Sequence, residues 1–122
     1  VKVNAIVAHF GLMHSSRVRQ VQRLADFIKS QVPRNEHLIV AGDFNDWGDR
    51  LDAPMQAAGL SRAVVSGDPP ARFNTFPSRM PMFSMDRIYV RGLRCRSTSV
   101  PRGVAWARMS DHLPLVAELE LA

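Results

Sequence analysis

The chain has one cysteine in 122 residues, Cys95, so no intrachain disulfide can form and a disulfide-stapled secreted scaffold is excluded. Its apolar runs all fall far short of the roughly 18 residues a membrane helix needs, and no basic-then-apolar leader stands at Val1. Aromatic residues make up only 7% and do not alternate regularly with the arginines, so no base-stacking surface is marked. Internal repeats, low-complexity segments and linkers are also missing, as are helix-turn-helix and finger spacings. Acidic residues are the minority, 11 against 16 Lys and Arg, which gives +5 and makes an anionic partner plausible. With 46% apolar and 22% charged residues, the length fits one folded domain over residues 1–122, and the cytoplasm is the favoured compartment.

The order of elements reads as α/β (α+β). Val1, Val3, Ala5 and Val7 share one face of a first strand. Ser15 or Ser16 is placed to cap a helix from Arg17 to Gln31, with Val18, Val21, Leu24, Ala25, Ile28 and Val32 on its apolar stripe and Arg17, Arg19 and Arg23 away from it. Leu38, Ile39 and Val40 form a second strand, expected to be covered on both faces and parallel to the first through a right-handed crossover. A short helix follows over Leu51 to Leu60, ended by Gly59. Residues 66–83 hold four of the eight prolines and predict a long ordered loop. A strand from Asp86 to Val90 is expected to turn at Gly92 into a hairpin with Arg94 to Val100, placing Cys95 inward as a buried thiol. Pro101 to Arg108 reads as a loop carrying Trp106, and Leu115 to Leu121 as a half-exposed terminal strand.

Polar residues of catalytic type fall beside strand ends at four separate places: His9, Asp43 with Asn45, Asp86, and Asp111 with His112. In open α/β sheets that edge is where ligands bind. Each place also has an ordinary explanation. Asp43 and Asn45 suit an Asx turn, His9 a satisfied surface histidine, Asp86 a surface pair with Arg87, and Asp111 a turn before Leu113. His14 and His37 read as surface histidines, and Trp47 and Trp106 as loop anchors.

Taken in order, Ala8-His9-Phe10-Gly11-Leu12, Ala41-Gly42-Asp43-Phe44-Asn45, Asn74-Thr75-Phe76-Pro77-Ser78, Met85-Asp86-Arg87-Ile88-Tyr89-Val90 and Ser110-Asp111-His112-Leu113-Pro114 resemble the C-terminal half of the endonuclease/exonuclease/phosphatase superfamily, the metal-dependent phosphodiesterases related to DNase I. The resemblance covers essentially the whole chain. It implies about half of a DNase I-like four-layer α-β-β-α sandwich, with residues 1–122 expected to lack the family's N-terminal half. It also implies a Mg2+-dependent phosphoesterase, with Mn2+ as a second candidate, that hydrolyses a phosphate ester by direct attack of water.

By the same resemblance, Asp43 would position or deprotonate that water and share metal binding with Asp111, while Asn45 would hydrogen-bond the phosphate. His112, oriented by Asp86, would contact the phosphate, and His9 would stand across it. A carboxylate at Asp86 would raise the imidazole pKa and favour its donor form. Substrates compatible with this reading are nucleic acid, nucleotide, phospholipid and inositol phosphate. Arg17, Arg19, Arg23, Arg87, Arg91, Arg94 and Arg96 are candidates to track a nucleic-acid backbone. An incomplete, non-catalytic binding or scaffold domain on the same fold is the alternative function, and DNA binding without catalysis a third. Without a partner segment, one sheet face would stand open, so self-association is expected.

Overall fold

The structure is a computed structural model and describes residues 1–47, 49–65, 67 and 73–122. The chain runs β1 (Val3–His9), α1 (His14–Gln31), β2 (His37–Asp43), α2 (Asp52–Ala57), β3 (Ser61–Arg62), β4 (Asp86–Arg91), β5 (Leu93–Ser99), α3 (Val104–Met109) and β6 (Val116–Leu121). Four strands form one sheet in the order β1-β2-β4-β3, and β5 pairs with β6 in a second. β1 and β2 are parallel across the α1 crossover, as expected, whereas β4 runs antiparallel to both β2 and β3.

The two faces of the larger sheet differ sharply. Leu38, Val40 and Tyr89 are fully buried on the helix side, where they meet Val21 and Ile28 of α1 and Met55 of α2. Phe10 and Phe44 close this core edge to face, 4.8 Å apart between ring centres. On the opposite face Val3 and Val7 are 44% and 86% exposed, and Ile39, Ala41 and Ile88 are half-buried. β2 is therefore covered closely on one face rather than on both.

Gly42 fixes how close β1 and β2 come. It pairs with Ala8 at a φ of 150°, and a Cβ there would lie 1.8 Å from the Ala8 carbonyl oxygen. Only glycine lets the strands stay in register up to His9 and Asp43.

Several local expectations are corrected. α1 begins at His14 with Met13 as its cap, so Ser15 and Ser16 lie inside the first turn and neither caps it. Arg17 is buried, because it stands four residues before Val21 and shares its stripe, and its guanidinium donates to the carbonyls of Gly11 and Leu12. Val18 is 49% exposed beside that stripe. Gly92 does not close a hairpin: one residue between β4 and β5 is too short a loop, and the kink at φ 76° instead sends β5 away to pair with β6. β5 carries a bulge between Cys95 and Ser97, and Cys95 is half-buried rather than buried. Residues 104–109 are helical, not loop, with Trp106 on a helix that buries none of its residues. Of the expected long loop, residues 66 and 68–72, Arg72 among them, lie outside the described residues.

Candidate active site

Strand register assembles the site. His9 on β1 pairs with Asp43 on β2, and Asp43 pairs with Asp86 on β4, so three polar residues form the last row of three adjacent strands. All three project from the sheet face opposite the helices, because they stand two residues beyond Val7, Ala41 and Ile88 in the same alternation. His112 reaches this row from the segment between α3 and β6. Its position is set by backbone bonds on both sides: the Leu113 N–H donates to the Thr75 carbonyl at 2.8 Å and the Ser78 N–H to the Asp111 carbonyl at 2.8 Å.

The imidazole of His112 is hydrogen-bonded at one nitrogen and faces a carboxylate with the other. Nδ1 lies 2.7 Å from Asp86 Oδ2, and Nε2 lies 3.7 Å from Asp43 Oδ2. The same Asp86 oxygen accepts the hydroxyl of Thr75 at 2.6 Å. Phe76 lies over the ring, 4.8 Å between centres, and passes its contact on to Trp47 and Phe83. Partial burial alone would lower the His112 pKa. The hydrogen bond and charge of Asp86, with the charges of Asp43 and Asp111, outweigh it and hold the imidazole above its ordinary value.

Asp43 divides its oxygens. Oδ1 accepts the Asn45 N–H at 2.9 Å, the Asx turn weighed from the sequence, while Oδ2 stands 3.7 Å from Nε2 of both His9 and His112. Asn45 takes a left-handed backbone, φ 49°, which asparagine tolerates, and its Nδ2 donates to the Phe10 carbonyl at 2.7 Å. The loops after β1 and β2 are thereby tied together behind the row. His9 is 77% exposed, so nothing among the described residues fixes its ring beyond Asp43.

Asp43, Asp86 and His112 each offer one ligand atom, and these atoms lie within 4.8 Å of one another. Asp111 lies outside that trio, exposed, with its carboxylate 3.4 Å from the Ser110 hydroxyl. Arg87 is the clearest departure from expectation. It neither pairs with Asp86 nor tracks a backbone, since it is 1% exposed and bound to Asp46 Oδ2 at 2.6 Å and to Asp49 Oδ1 at 2.6 Å. Asp46 in turn accepts the N–H groups of Arg50 and Leu51, clamping the loop that follows Asn45. Burial would raise its pKa, but the Leu51 bond, the Arg87 charge and the Arg50 bond hold the carboxyl below its usual range. Thr75, Phe76 and the Asp46–Arg87 pair received no role from the sequence. A buried hydroxyl must find a partner, but nothing local to Thr75 says that the partner is eleven residues away.

A mixed sheet whose last row carries His9, Asp43 and Asp86, met by His112, defines an α/β protein with its titratable groups gathered at one sheet edge. The chain belongs to the endonuclease/exonuclease/phosphatase family, whose description matches residues 3–112. It is 36% identical over 124 residues to the uncharacterized protein YbhP of Escherichia coli strain K12, covering 98% of this chain and 47% of that one. Danio rerio TDP2 complexed with a single-strand DNA product superimposes with a TM-score of 0.73 at 17% identity, over 95% of this chain and 55% of that chain. The mannosyl-6-phosphatase Bt3783 of Bacteroides thetaiotaomicron gives 0.71 at 19% identity, over 96% and 51%. These likenesses establish the DNase I-like fold, of which this chain spans about half. No helix among the described residues is long and apolar enough to cross a membrane.

Proposed function

We propose that this chain carries the C-terminal half of the active site of a divalent-metal-dependent phosphodiesterase in which water attacks phosphorus directly. The observation that supports it is the meeting of Asp43, Asp86 and His112 within 4.8 Å at the end of the sheet. Displacement at phosphorus builds negative charge on the non-bridging and leaving oxygens, and a fixed cationic donor lowers that barrier. His112, its pKa raised by the hydrogen bond and charge of Asp86, supplies the donor at Nε2. Asp43 Oδ2 faces both imidazoles and is the acceptor that orients or deprotonates the water. His9 stands across the phosphate, and Asn45 contributes an amide beside it.

The donor set fits a hard cation. Asp43 is partly open to solvent and Asp111 is exposed, which suits Mg2+ or Mn2+, cations that prefer oxygen and keep much of their water. Asp86 fits less well, because its Oδ2 already receives Thr75 and His112. When bound, such a cation supplies neutralisation of the phosphate charge. The substrate is a phosphate ester, with nucleic acid, nucleotide, phospholipid and inositol phosphate all compatible. Arg17 and Arg87 are buried and leave the set that could track a nucleic-acid backbone.

The second reading, a binding domain without catalysis, draws support from the chain's spanning 47% of YbhP. Hydrolysis of bis(p-nitrophenyl) phosphate with Mg2+ or Mn2+ against chelator, in wild type and His112→Ala, separates the two. Metal-dependent turnover that falls by roughly 10²–10³ in the variant supports the enzyme. Turnover indifferent to metal or to His112 sinks it, and no turnover favours the binding domain.

A further inference from the structure

We propose that a cavity of about 340 Å³ lined by Arg79, Arg102 and Arg108 is a subsite for a second phosphate group, carried by the substrate beyond the ester that is cleaved. This deepens the phosphodiesterase reading and rests on it for the substrate's identity.

The three guanidinium groups come from two separate segments. Arg79 stands on the turn after Phe76, Arg102 just before α3 and Arg108 in its last turn. All three are exposed, and among the described residues no carboxylate pairs with any of them. Arg62, Arg87, Arg94 and Arg96 each have an Asp or Glu partner; what sets Arg79, Arg102 and Arg108 apart is that all three line one concavity. Three like charges facing one concavity repel, and an anion relieves that repulsion. A guanidinium fork matches the oxygens of a phosphate in a way a single ammonium does not.

The cavity also stands next to the chemistry. Ser78 and Leu113 form part of its wall, and Leu113 directly follows His112. A neighbouring concavity of about 280 Å³ shares Arg79 and Ser78 and extends to Ser110 and Asp111. The segment that carries His112 thus also supplies a wall of the cavity, and it is tied to the Arg79 turn by the bond from the Ser78 N–H to the Asp111 carbonyl. A substrate with a second phosphate close to the scissile one can engage both places, whereas a simple diester engages one.

The test starts with isothermal titration of inorganic pyrophosphate into the chelator-treated protein. Saturable binding is expected, weakened at least tenfold by Arg79→Gln/Arg102→Gln/Arg108→Gln. A charge-matched control, Lys2→Gln/Lys29→Gln/Arg34→Gln, at exposed positions given no part in binding, should stay within twofold of wild type. No binding, an unaffected cavity variant or an equally weakened control overturns the subsite. In the hydrolysis arm, a diester bearing a terminal phosphate should show a KM at least tenfold below that of its unphosphorylated counterpart, and the cavity variant should erase the difference. Pyrophosphate binding without that preference overturns the assignment to substrate and leaves a site for free phosphate. Failure to turn over either diester counts against catalysis by these 122 residues alone, while the titration still decides the subsite.

Discussion

Asp86 Oδ2 accepts from Thr75 at 2.6 Å and faces His112 Nδ1 at 2.7 Å, so one oxygen anchors the imidazole while being anchored itself. This fixes which nitrogen carries the proton toward Asp86 and leaves Nε2 turned to Asp43. Asp86→Asn should lower metal-dependent diester turnover roughly 10- to 100-fold, as loss of an orienting partner does. Thr75→Val should produce a smaller loss and Thr75→Ser should restore the rate. Equal rates in all three variants would remove the orienting role.

The pH dependence of stability follows from the same pair. His112 has a folded pKa raised above its ordinary 6.5, so the folded state holds the proton more tightly than the unfolded chain. The resulting stabilisation is fully present below about pH 6.5 and is lost as pH rises through the folded value. Urea midpoints measured from pH 5.5 to 9 should therefore fall across that window. His112→Gln should flatten the profile there; an unchanged slope would mean that another group titrates.

The site was legible where strand ends carry unlike polar residues. The motifs point to Asp43, Asp86 and His112; register aligns Asp43 with Asp86 where β2 ends and β4 begins, and backbone bonds from Leu113 and to Asp111 bring His112 to them. What was not legible depends on contacts between distant segments. Arg87 looked like a surface cation because it alternates with Asp86, yet that alternation turns it toward the helices, where Asp46 waits. The same limit applies to Gly92, whose turn signal is real but whose two strands belong to different sheets. Arg17 could have been read correctly, since its spacing from Val21 and Ile28 is helical.

Removing one partner of the Asp46–Arg87 pair should be far more harmful than its charge suggests. Both groups are essentially excluded from solvent, at 0% and 1% side-chain exposure. Arg87→Met leaves the Asp46 carboxylate buried without its cation, a change that typically costs about 3–5 kcal/mol. Urea unfolding should show that loss. Arg94→Gln, which breaks an exposed pair with Glu120, should cost less than about 1 kcal/mol.

Gly42→Ala should disrupt the sheet where the site is built. The added methyl would meet the Ala8 carbonyl at 1.8 Å, a clash with backbone that no rotamer relieves. β1 and β2 must then separate near His9 and Asp43. A destabilisation of about 3 kcal/mol or more is expected by urea titration, together with loss of amide protection at Ala8 and Gly42. Wild-type stability in the alanine variant would show that the strands can move apart at little cost.

The open face of the larger sheet sets the solution behaviour. Val3 and Val7 project from β1 into solvent beside half-buried Ile39, Ala41 and Ile88, an apolar surface on the same face as the row of His9, Asp43 and Asp86. Hydrophobic surface of this kind is stabilised by being covered, and in a chain that spans about half of YbhP the available cover in a pure sample is a second copy. Sedimentation velocity should therefore show concentration-dependent association. Val3→Lys/Val7→Lys should shift the sample to monomer by placing charges where the face would close, with little cost to a strand whose changed positions are already exposed. A wild-type protein that sediments as a monomer across the concentration range would show that this face is tolerated in water, and the expectation of self-association would fall.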